Sequence, residues 1–357
     1  MIGGGLSGAS ISYHLALRGR RVVLLERGEL ASAASGASTG WATVHFASYM
    51  AEYPDSHMRL MARGLELFHE LAEPLGEEIE YDRTGGLSLI YDDDDLVVKE
   101  DLARRLNDAG IRVTILSREE VLGIEPSLGG SFVAGLHSLD EALVTAPLLV
   151  HALASRAAAE GTEILTGTEV VGLEVRDGAI LGVETTAGTV RAPAVVNAAG
   201  LDAPRVGALV GIDIPIYPSR GQQLVVSAPR GLIAGAVYNP GLLRPTRDGY
   251  IVGGLREQAT AENEITLSGA ARLVEQAVGM VPGLSEARLE GVLPGIRPVP
   301  ADGMPIYGPV PGVDGFYLAN LHFGLTLVAL TGRVLASYVL GEDPEVDVSG
   351  YCYERFR

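Results

Sequence analysis

Gly3-Gly4-Gly5-Leu6-Ser7-Gly8, followed by Val22-Val23-Leu24-Leu25-Glu26, is the stretch that decides the fold. The pattern is G-x-G-x-x-G, an amphipathic run, then an apolar strand ending in an acid. Gly3 permits a tight turn, Gly5 lets backbone come close to a pyrophosphate, and Gly8 lets a helix pack closely on a sheet. The helix N-terminus then offers unpaired N–H groups and a positive dipole end to phosphates. Glu26 is placed to accept hydrogen bonds from a ribose 2′- and 3′-hydroxyl pair, and its carboxylate repels a 2′-phosphate. An adenosine dinucleotide of the NAD or FAD kind is therefore favoured over NADP. The intervening Ser10-Ile11-Ser12-Tyr13-His14-Leu15-Ala16-Leu17-Arg18-Gly19 has apolar residues at helical spacing and a Gly stop, as a crossover helix needs. A glycine-rich turn with no ligand is the weaker reading, because the acid follows close to the expected spacing.

Only Met1 and Ile2 precede the turn, where a buried strand of about five or six residues is usual. The expectation is that Met1 stands where an ordinary strand residue belongs and that upstream residues complete a central strand.

A chain of 357 residues exceeds one small core and suggests two intimately joined domains. The formal charge of −18 argues against nucleic acid or an anionic membrane as partner. Asp92-Asp93-Asp94-Asp95 reads as a solvated loop rather than a metal site, and no metal is expected. One cysteine, Cys352, leaves no partner for an intrachain disulfide and no thiol-ligated cluster. No apolar run reaches membrane-spanning length and no signal peptide opens the chain, so the expectation is a cytoplasmic enzyme, not an integral membrane protein.

Outward from the glycine turn, residues 31–40 are small and hydroxylic, which suits close approach to a cofactor; a flexible linker is the plainer alternative. Helices are expected over about 56–75, 96–109 and 148–160, with a further start at Ser117-Arg118-Glu119-Glu120. Strands are expected at 85–91, 113–116, 163–165, 168–175, 179–185 and 189–190, with Asp177-Gly178 as a hairpin turn. Ala194-Val195-Val196-Asn197-Ala198-Ala199-Gly200 reads as a buried parallel strand with a tail of small residues. From about 217 to 299 the pattern becomes antiparallel, with one helix near 270–278, and a last helix runs to about 340. No internal repeat is found.

Taken together, the glycine turn with Glu26, Ser35-Gly36-Ala37-Ser38, the 195–200 strand, Gly295-Ile296-Arg297-Pro298 with Asp302-Gly303, and 322–327 with Thr331-Gly332-Arg333 carry a likeness over essentially the whole chain. In this order and spacing the sequence resembles the FAD-dependent oxidoreductases of the D-amino-acid oxidase, glycine oxidase and sarcosine oxidase family. The resemblance implies an α/β fold: a Rossmann-like FAD-binding domain (parallel sheet plus β-meander) with an antiparallel-sheet α+β substrate domain. The FAD domain is expected over 1–50, 140–215 and 295–357, and the substrate domain over 51–139 and 216–294.

By the same resemblance, FAD is held by Gly3, Gly5, Leu6, Ser7 and Gly8, by Glu26 and Arg27, and by the loop Ser35, Gly36, Ala37, Ser38, Thr39 and Gly40. Val170 and Val171 meet the adenine through backbone, and Ala198, Ala199 and Gly200 pass near the pyrophosphate. Gly324, Leu325, Thr326 and Leu327 open a helix facing the flavin's pyrimidine end. Attachment is expected to be non-covalent: Cys352 lies in the tail, and a link to His45 is the less favoured alternative.

Arg297 is implied to grip a substrate carboxylate, where a guanidinium forms two parallel charge-assisted bonds and presents the α-carbon hydrogen to flavin N5. A structural arginine beside Pro298 is the plainer alternative. His322 either lines the pocket, with a catalytic part, or hydrogen-bonds the terminal turn. The tyrosine that several family members carry before an Arg-Pro is missing from Gly241-Leu242-Leu243-Arg244-Pro245, and Tyr238 or Tyr250 is expected to substitute. Gln222 is expected to point towards the flavin, and Lys99, the only lysine, to sit on a surface helix.

The activity so implied is FAD-dependent oxidation of the C–N bond of a small amino acid or N-alkyl amino acid, with hydride passing to flavin and O₂ or another acceptor taking the electrons. A hydroxy-acid or glycerol-phosphate dehydrogenase, a non-catalytic flavin-binding assembly factor and an NAD-dependent dehydrogenase are the alternatives. The phosphate substrate is disfavoured because no basic cluster is legible near Arg297. A homo-oligomer is compatible with all of these.

Overall fold

Ile2 sits between two strands, bridging in parallel to Leu25 on one side and Asn197 on the other. That one residue links Val23–Leu25 and its parallel neighbour Glu163–Leu165 to Val195–Asn197, which pairs in parallel with Phe316–Asn320. Ile306–Pro309 closes the sheet antiparallel. Leu24, Val195 and Leu318 are buried in it, as strands covered on both faces require.

The computed structural model describes residues 1–44, 52–258 and 262–357. Among them are eight α-helices: α1 (Leu6–Leu17), α2 (Asp55–Ala72), α3 (Asp93–Asp108), α4 (Arg118–Ile124), α5 (Ala146–Ala159), α6 (Ala203–Ala208), α7 (Leu267–Met280) and α8 (Val328–Leu340). None of these is long and apolar enough to cross a membrane. Helix α1 packs on α5 and α8. Gly332 makes the second contact possible, since a Cβ there would stand 2.4 Å from Ser10 Oγ. Ser10 Oγ donates to the Val328 carbonyl at 2.7 Å across the same interface. Helix α2 packs on α8 as well, and its buried face joins the same core.

Val170–Arg176, Ala179–Thr185 and Gly188–Arg191 form the expected antiparallel meander. Asp177 and Gly178 both take positive φ (51° and 80°), matching the twist a two-residue hairpin needs.

The second layer is an eight-stranded sheet in the order Arg288–Val292, Leu224–Ser227, Tyr250–Gly253, Leu242–Pro245, Ala236–Tyr238, Gly86–Ile90, Ala134–Ser138, Val113–Ser117. It is antiparallel except between Ala236–Tyr238 and Gly86–Ile90. Leu87, Phe132, Leu243 and Leu273 of α7 make its core. A separate antiparallel ribbon, Ile216–Gly221 on Gly295–Pro300, carries the chain into and out of this layer.

Two expectations are corrected. Asp92-Asp93-Asp94-Asp95 is not a loop: the Asp92 side chain caps α3 by accepting from the Asp95 N–H at 2.8 Å, and the other three fill its first turn. Acids there suit the positive end of the helix dipole. Lys99 is not on the surface: it is wholly buried on the inner face of α3, beside Leu102, Ala103 and Leu106. Burial pulls its ammonium down to about 8, against the opposing pull of Asp95 and Glu141.

Candidate functional site

A cleft of about 600 Å³ runs from the glycine turn to the ribbon that carries Arg297. At its first end the Glu26 carboxylate accepts the Gly4 N–H on Oε2 (2.7 Å) and the Gly28 N–H on Oε1 (2.8 Å). Each carboxylate oxygen can accept a second bond, so the acid both holds the loop and stays able to take hydroxyl donors from the cleft. Arg27 and Asp202 pair at 2.8 Å at this edge, as do Arg205 and Glu169 at 3.0 Å.

The turn itself is built by close approach. A Cβ on Gly3, whose φ is +107°, would stand 2.4 Å from the Ala198 carbonyl oxygen; one on Gly8 would stand 1.8 Å from that of Gly3. The Leu6 N–H, in the first turn of α1, donates to Ser35 Oγ at 3.0 Å, and a Cβ on Gly5 would lie 2.8 Å from that oxygen. The small-residue loop is thus laid on the glycine turn, and Ser35, Ala37, Ser38 and Thr39 line the cleft with Gly3, Gly5, Leu6 and Ser7. Val170, Ala198, Ala199 and Gly200 line it as well.

Further along, Gly324, Leu325 and Thr326 line the cleft just before α8. Thr326 Oγ1 donates to the Thr43 carbonyl (2.9 Å) and accepts its N–H (3.0 Å). Thr43 Oγ1 in turn donates to the buried Glu141 carboxylate at 2.8 Å. Trp41, Thr43 and Glu141 were not singled out by the sequence, although Trp41 is its only tryptophan and directly follows the small-residue loop.

At the far end, half-buried Arg297 extends from Gly295–Pro300, and its guanidinium lies over Gly221 of the paired strand. A Cβ on Gly221 would stand 2.7 Å from both terminal nitrogens, so the guanidinium keeps this pose only over a glycine. Arg297 Nη1 also donates to the Leu255 carbonyl at 3.4 Å. Tyr238, Gln223, Arg256 and His322 line the same region. Arg256 Nη2 lies 2.9 Å from His322 Nε2. A guanidinium only donates, so Nε2 accepts and the neutral ring carries its proton on Nδ1. Burial, then Arg256 and Arg297, push this imidazole down to about 3. With Nε2 engaged, His322 is not poised to take a proton from an amine. Burial raises the Tyr238 phenol, against the pull of the two arginines.

Several expected site residues lie elsewhere. Gln222 is fully buried and ties the end of Ile216–Gly221 to the start of α7, donating to Glu257 (2.7 Å) and accepting the Thr266 N–H (2.9 Å); its neighbour Gln223 faces the cleft. Both lie in the two-residue link between Ile216–Gly221 and Leu224–Ser227, and it is the second of the pair that turns to the cleft. Tyr250 points into the second core, donating to the Pro229 carbonyl at 2.9 Å and accepting the Leu232 N–H at 3.0 Å. Val171 is exposed, alternating with Val170. Leu327 is fully buried against Gly64 of α2. Gly8, Gly36 and Gly40 support the cleft without lining it, since each packs on a carbonyl oxygen of Gly3, Ala31 or Val144. His45 lies outside the described residues. Arg256, which the sequence did not suggest, reaches the site because Gly254 turns the chain at φ +101° just after Tyr250–Gly253. The expectation that no second basic residue lies near Arg297 is corrected accordingly.

These features fit FAD. The cleft is long, its first end is a backbone cradle that any side chain would fill, and an acid suited to ribose closes that end. The sequence model of one protein family, described as FAD dependent oxidoreductase, matches residues 1–338. The chain is 30% identical over 366 residues to a glycine oxidase of Geobacillus kaustophilus, covering 99% of this chain and 96% of that protein. The solved structure of glycine oxidase from that organism superimposes with a TM-score of 0.89 at 28% identity, covering 98% of this chain and 96% of the other. An L-proline dehydrogenase from P. horikoshii gives 0.91 at 25% identity (99% and 96%), and an iminodiacetate oxidase from Chelativorans sp. BNC1 gives 0.87 at 28% (98% and 97%).

Proposed function

The chain belongs to the FAD dependent oxidoreductase family, and we propose that within it this protein oxidises the C–N bond of a small amino acid or N-alkyl amino acid. FAD is its cofactor, and when bound it supplies the hydride-accepting chemistry. We take residues 1–50, 140–215 and 295–357 to carry it, and 51–139 with 216–294 to cover the substrate.

The observation that supports this reading best is Arg297, laid across Gly221 at the end of the cleft away from Glu26. A guanidinium held flat in that way binds a carboxylate through two parallel bonds and fixes its plane. That restraint orients the α-carbon hydrogen, and orientation is the main contribution the protein must make to such a transfer. The substrate amine enters neutral after losing its proton to solvent, because His322 Nε2 already accepts from Arg256. Loss of hydride leaves an iminium, which water hydrolyses to an oxo acid and ammonium, or to formaldehyde and an amine when an N-methyl carbon is the one oxidised.

An anaerobic screen of the FAD-loaded protein with glycine, sarcosine, proline and both enantiomers of common amino acids tests this directly. Loss of the visible flavin band with at least one carboxylate-bearing amine is expected. A band unchanged by every amine defeats the proposal and favours a flavin-binding protein without amine chemistry.

A further inference from the structure

We propose that Arg244 sets the electron affinity of the bound FAD: its guanidinium, a buried cation with no paired acid, stands behind the loop that lines the cleft and favours the negative charge that hydride transfer brings. The inference needs FAD in the cleft but does not need the amine reading above.

Strand Leu242–Pro245 alternates its side chains. Leu242 lines the cleft, Leu243 enters the core of the second layer, and Arg244 returns to the side of Leu242. Only 4% of Arg244 is exposed. Its Nη1 donates to the Val144 carbonyl at 3.0 Å and to the Gly40 carbonyl at 3.4 Å. Gly40 makes the approach possible, because a Cβ there would stand 2.9 Å from Nη1 and 3.2 Å from Cζ. The residues on either side of Gly40, Thr39 and Trp41, both line the cleft. The guanidinium does not line it, so a single thickness of loop backbone separates the charge from the cavity.

That charge is not cancelled locally. Among the described residues no carboxylate forms an ion pair with Arg244, and residues 45–51 and 259–261 contain no Asp or Glu. Glu80, whose charge reaches it, is itself engaged by Thr145 Oγ1 at 2.5 Å and by Arg247 at 3.5 Å. Glu141, a buried acid by the same loop, takes the Thr43 hydroxyl and the Val44 N–H. The Arg244 Nε–H has no acceptor at all. Burial pulls the guanidinium down to about 10, against the pull of Glu80, so it stays ionised at neutral pH. Two carbonyls could be bridged by a neutral amide, and an unpaired buried cation costs stability. Its field, however, is little screened by salt and acts across the loop. A hydride brings two electrons with one proton and so leaves one negative charge on its acceptor. A cation already fixed in place stabilises that charge without reorganising.

The test compares wild type, Arg244→Met and Arg244→Lys. The midpoint potential of bound FAD is measured by anaerobic reduction with dithionite against a dye of known potential, together with the dissociation constant of oxidised FAD. A unit charge acting through protein interior shifts such an equilibrium by about tenfold. Arg244→Met should therefore lose about tenfold in its preference for reduced over oxidised FAD, a midpoint potential lower by about 30 mV. Arg244→Lys, which keeps a cation, should retain more than half of the wild-type preference. A bracket that merely held two carbonyls would weaken both oxidation states alike and leave the potential where it was. A wild-type potential in Arg244→Met thus overturns the proposal, however its FAD affinity changes, and so does an equal drop in the Met and Lys variants. Dithionite takes the place of substrate, so failure of the amine screen leaves this result standing. Should Arg244→Met not fold or not retain FAD, Arg244→Gln, neutral but able to donate to one carbonyl, is judged by the same two criteria.

Discussion

Gly8→Ala probes the turn on which the cleft depends. The new Cβ would stand 1.8 Å from the Gly3 carbonyl oxygen and 3.0 Å from its carbon, and both neighbours are backbone. Gly3 cannot retreat easily, because its N–H donates to the Leu25 carbonyl at 2.9 Å within the central sheet. Relief therefore requires α1 and the turn to part by more than 1 Å. Overpacking of this kind costs about 1–3 kcal/mol. Alanine's better helix propensity returns up to about 1 kcal/mol, leaving a net loss between about zero and 3 kcal/mol. FAD binding should suffer more than stability, since a shift of that size misaims the N–H groups at the helix start and costs about 100-fold. Urea unfolding of the FAD-free protein, together with FAD titration, measures the two effects separately. Gly279→Ala is the control, because its Cβ meets nothing within 4 Å inside α7; it should leave FAD affinity unchanged and stability equal or slightly higher. Wild-type FAD affinity in Gly8→Ala would refute the reasoning.

Gly221→Ala puts a Cβ 2.7 Å from both terminal nitrogens of Arg297. Those are the far end of a flexible side chain, so the fold and FAD content should persist while substrate KM rises at least about tenfold; an unchanged KM would show that Arg297 does not hold the substrate. Lys99 is held at about 8, a cost fully present at pH 7 and relieved as pH rises from 8 towards 10.5. Lys99→Met should therefore raise stability at pH 7 by about 1–3 kcal/mol in urea melts, and a loss would contradict the buried placement. Burial holds His14 and His57 down to about 4 and His322 to about 3, all below the ordinary 6.5. Their lowered values mean that the unfolded chain binds the extra protons. Stability should thus be full above pH 6.5 and fall on acidification towards pH 4, by up to about 1.4 kcal/mol per pH unit for each histidine. Urea midpoints that stay flat between pH 7 and 4.5 would refute this.

The first layer was legible because its signals are local. The glycine turn, the acid at the end of Val23–Leu25 and the Asp177-Gly178 hairpin each depend on a few neighbouring residues. The helix start at Ser117–Glu120 was legible for the same reason, and the structure makes it a capping box. What escaped was side-chain direction. Gln222 and Gln223 lie in a link between two strands, where no periodicity says which side chain turns to the cleft, and Tyr250 belongs to a strand whose inward face only the finished sheet defines. Lys99 could have been placed, since it shares its helix face with Leu102, Ala103 and Leu106 at spacings of three, four and seven. Its charge outweighed that periodicity in the reading. Arg256 enters the cleft through a single glycine's positive φ, and nothing in the neighbouring residues announces which way that turn sends the chain.

The most direct measurement of the central claim is an anaerobic substrate titration of wild type and Arg297→Met, each with its bound FAD quantified. The account predicts equal FAD content, with the variant needing about 100-fold more of the carboxylate-bearing amine to lose its flavin band. An equal substrate requirement in the two proteins, or a wild type that takes up no FAD, would contradict it.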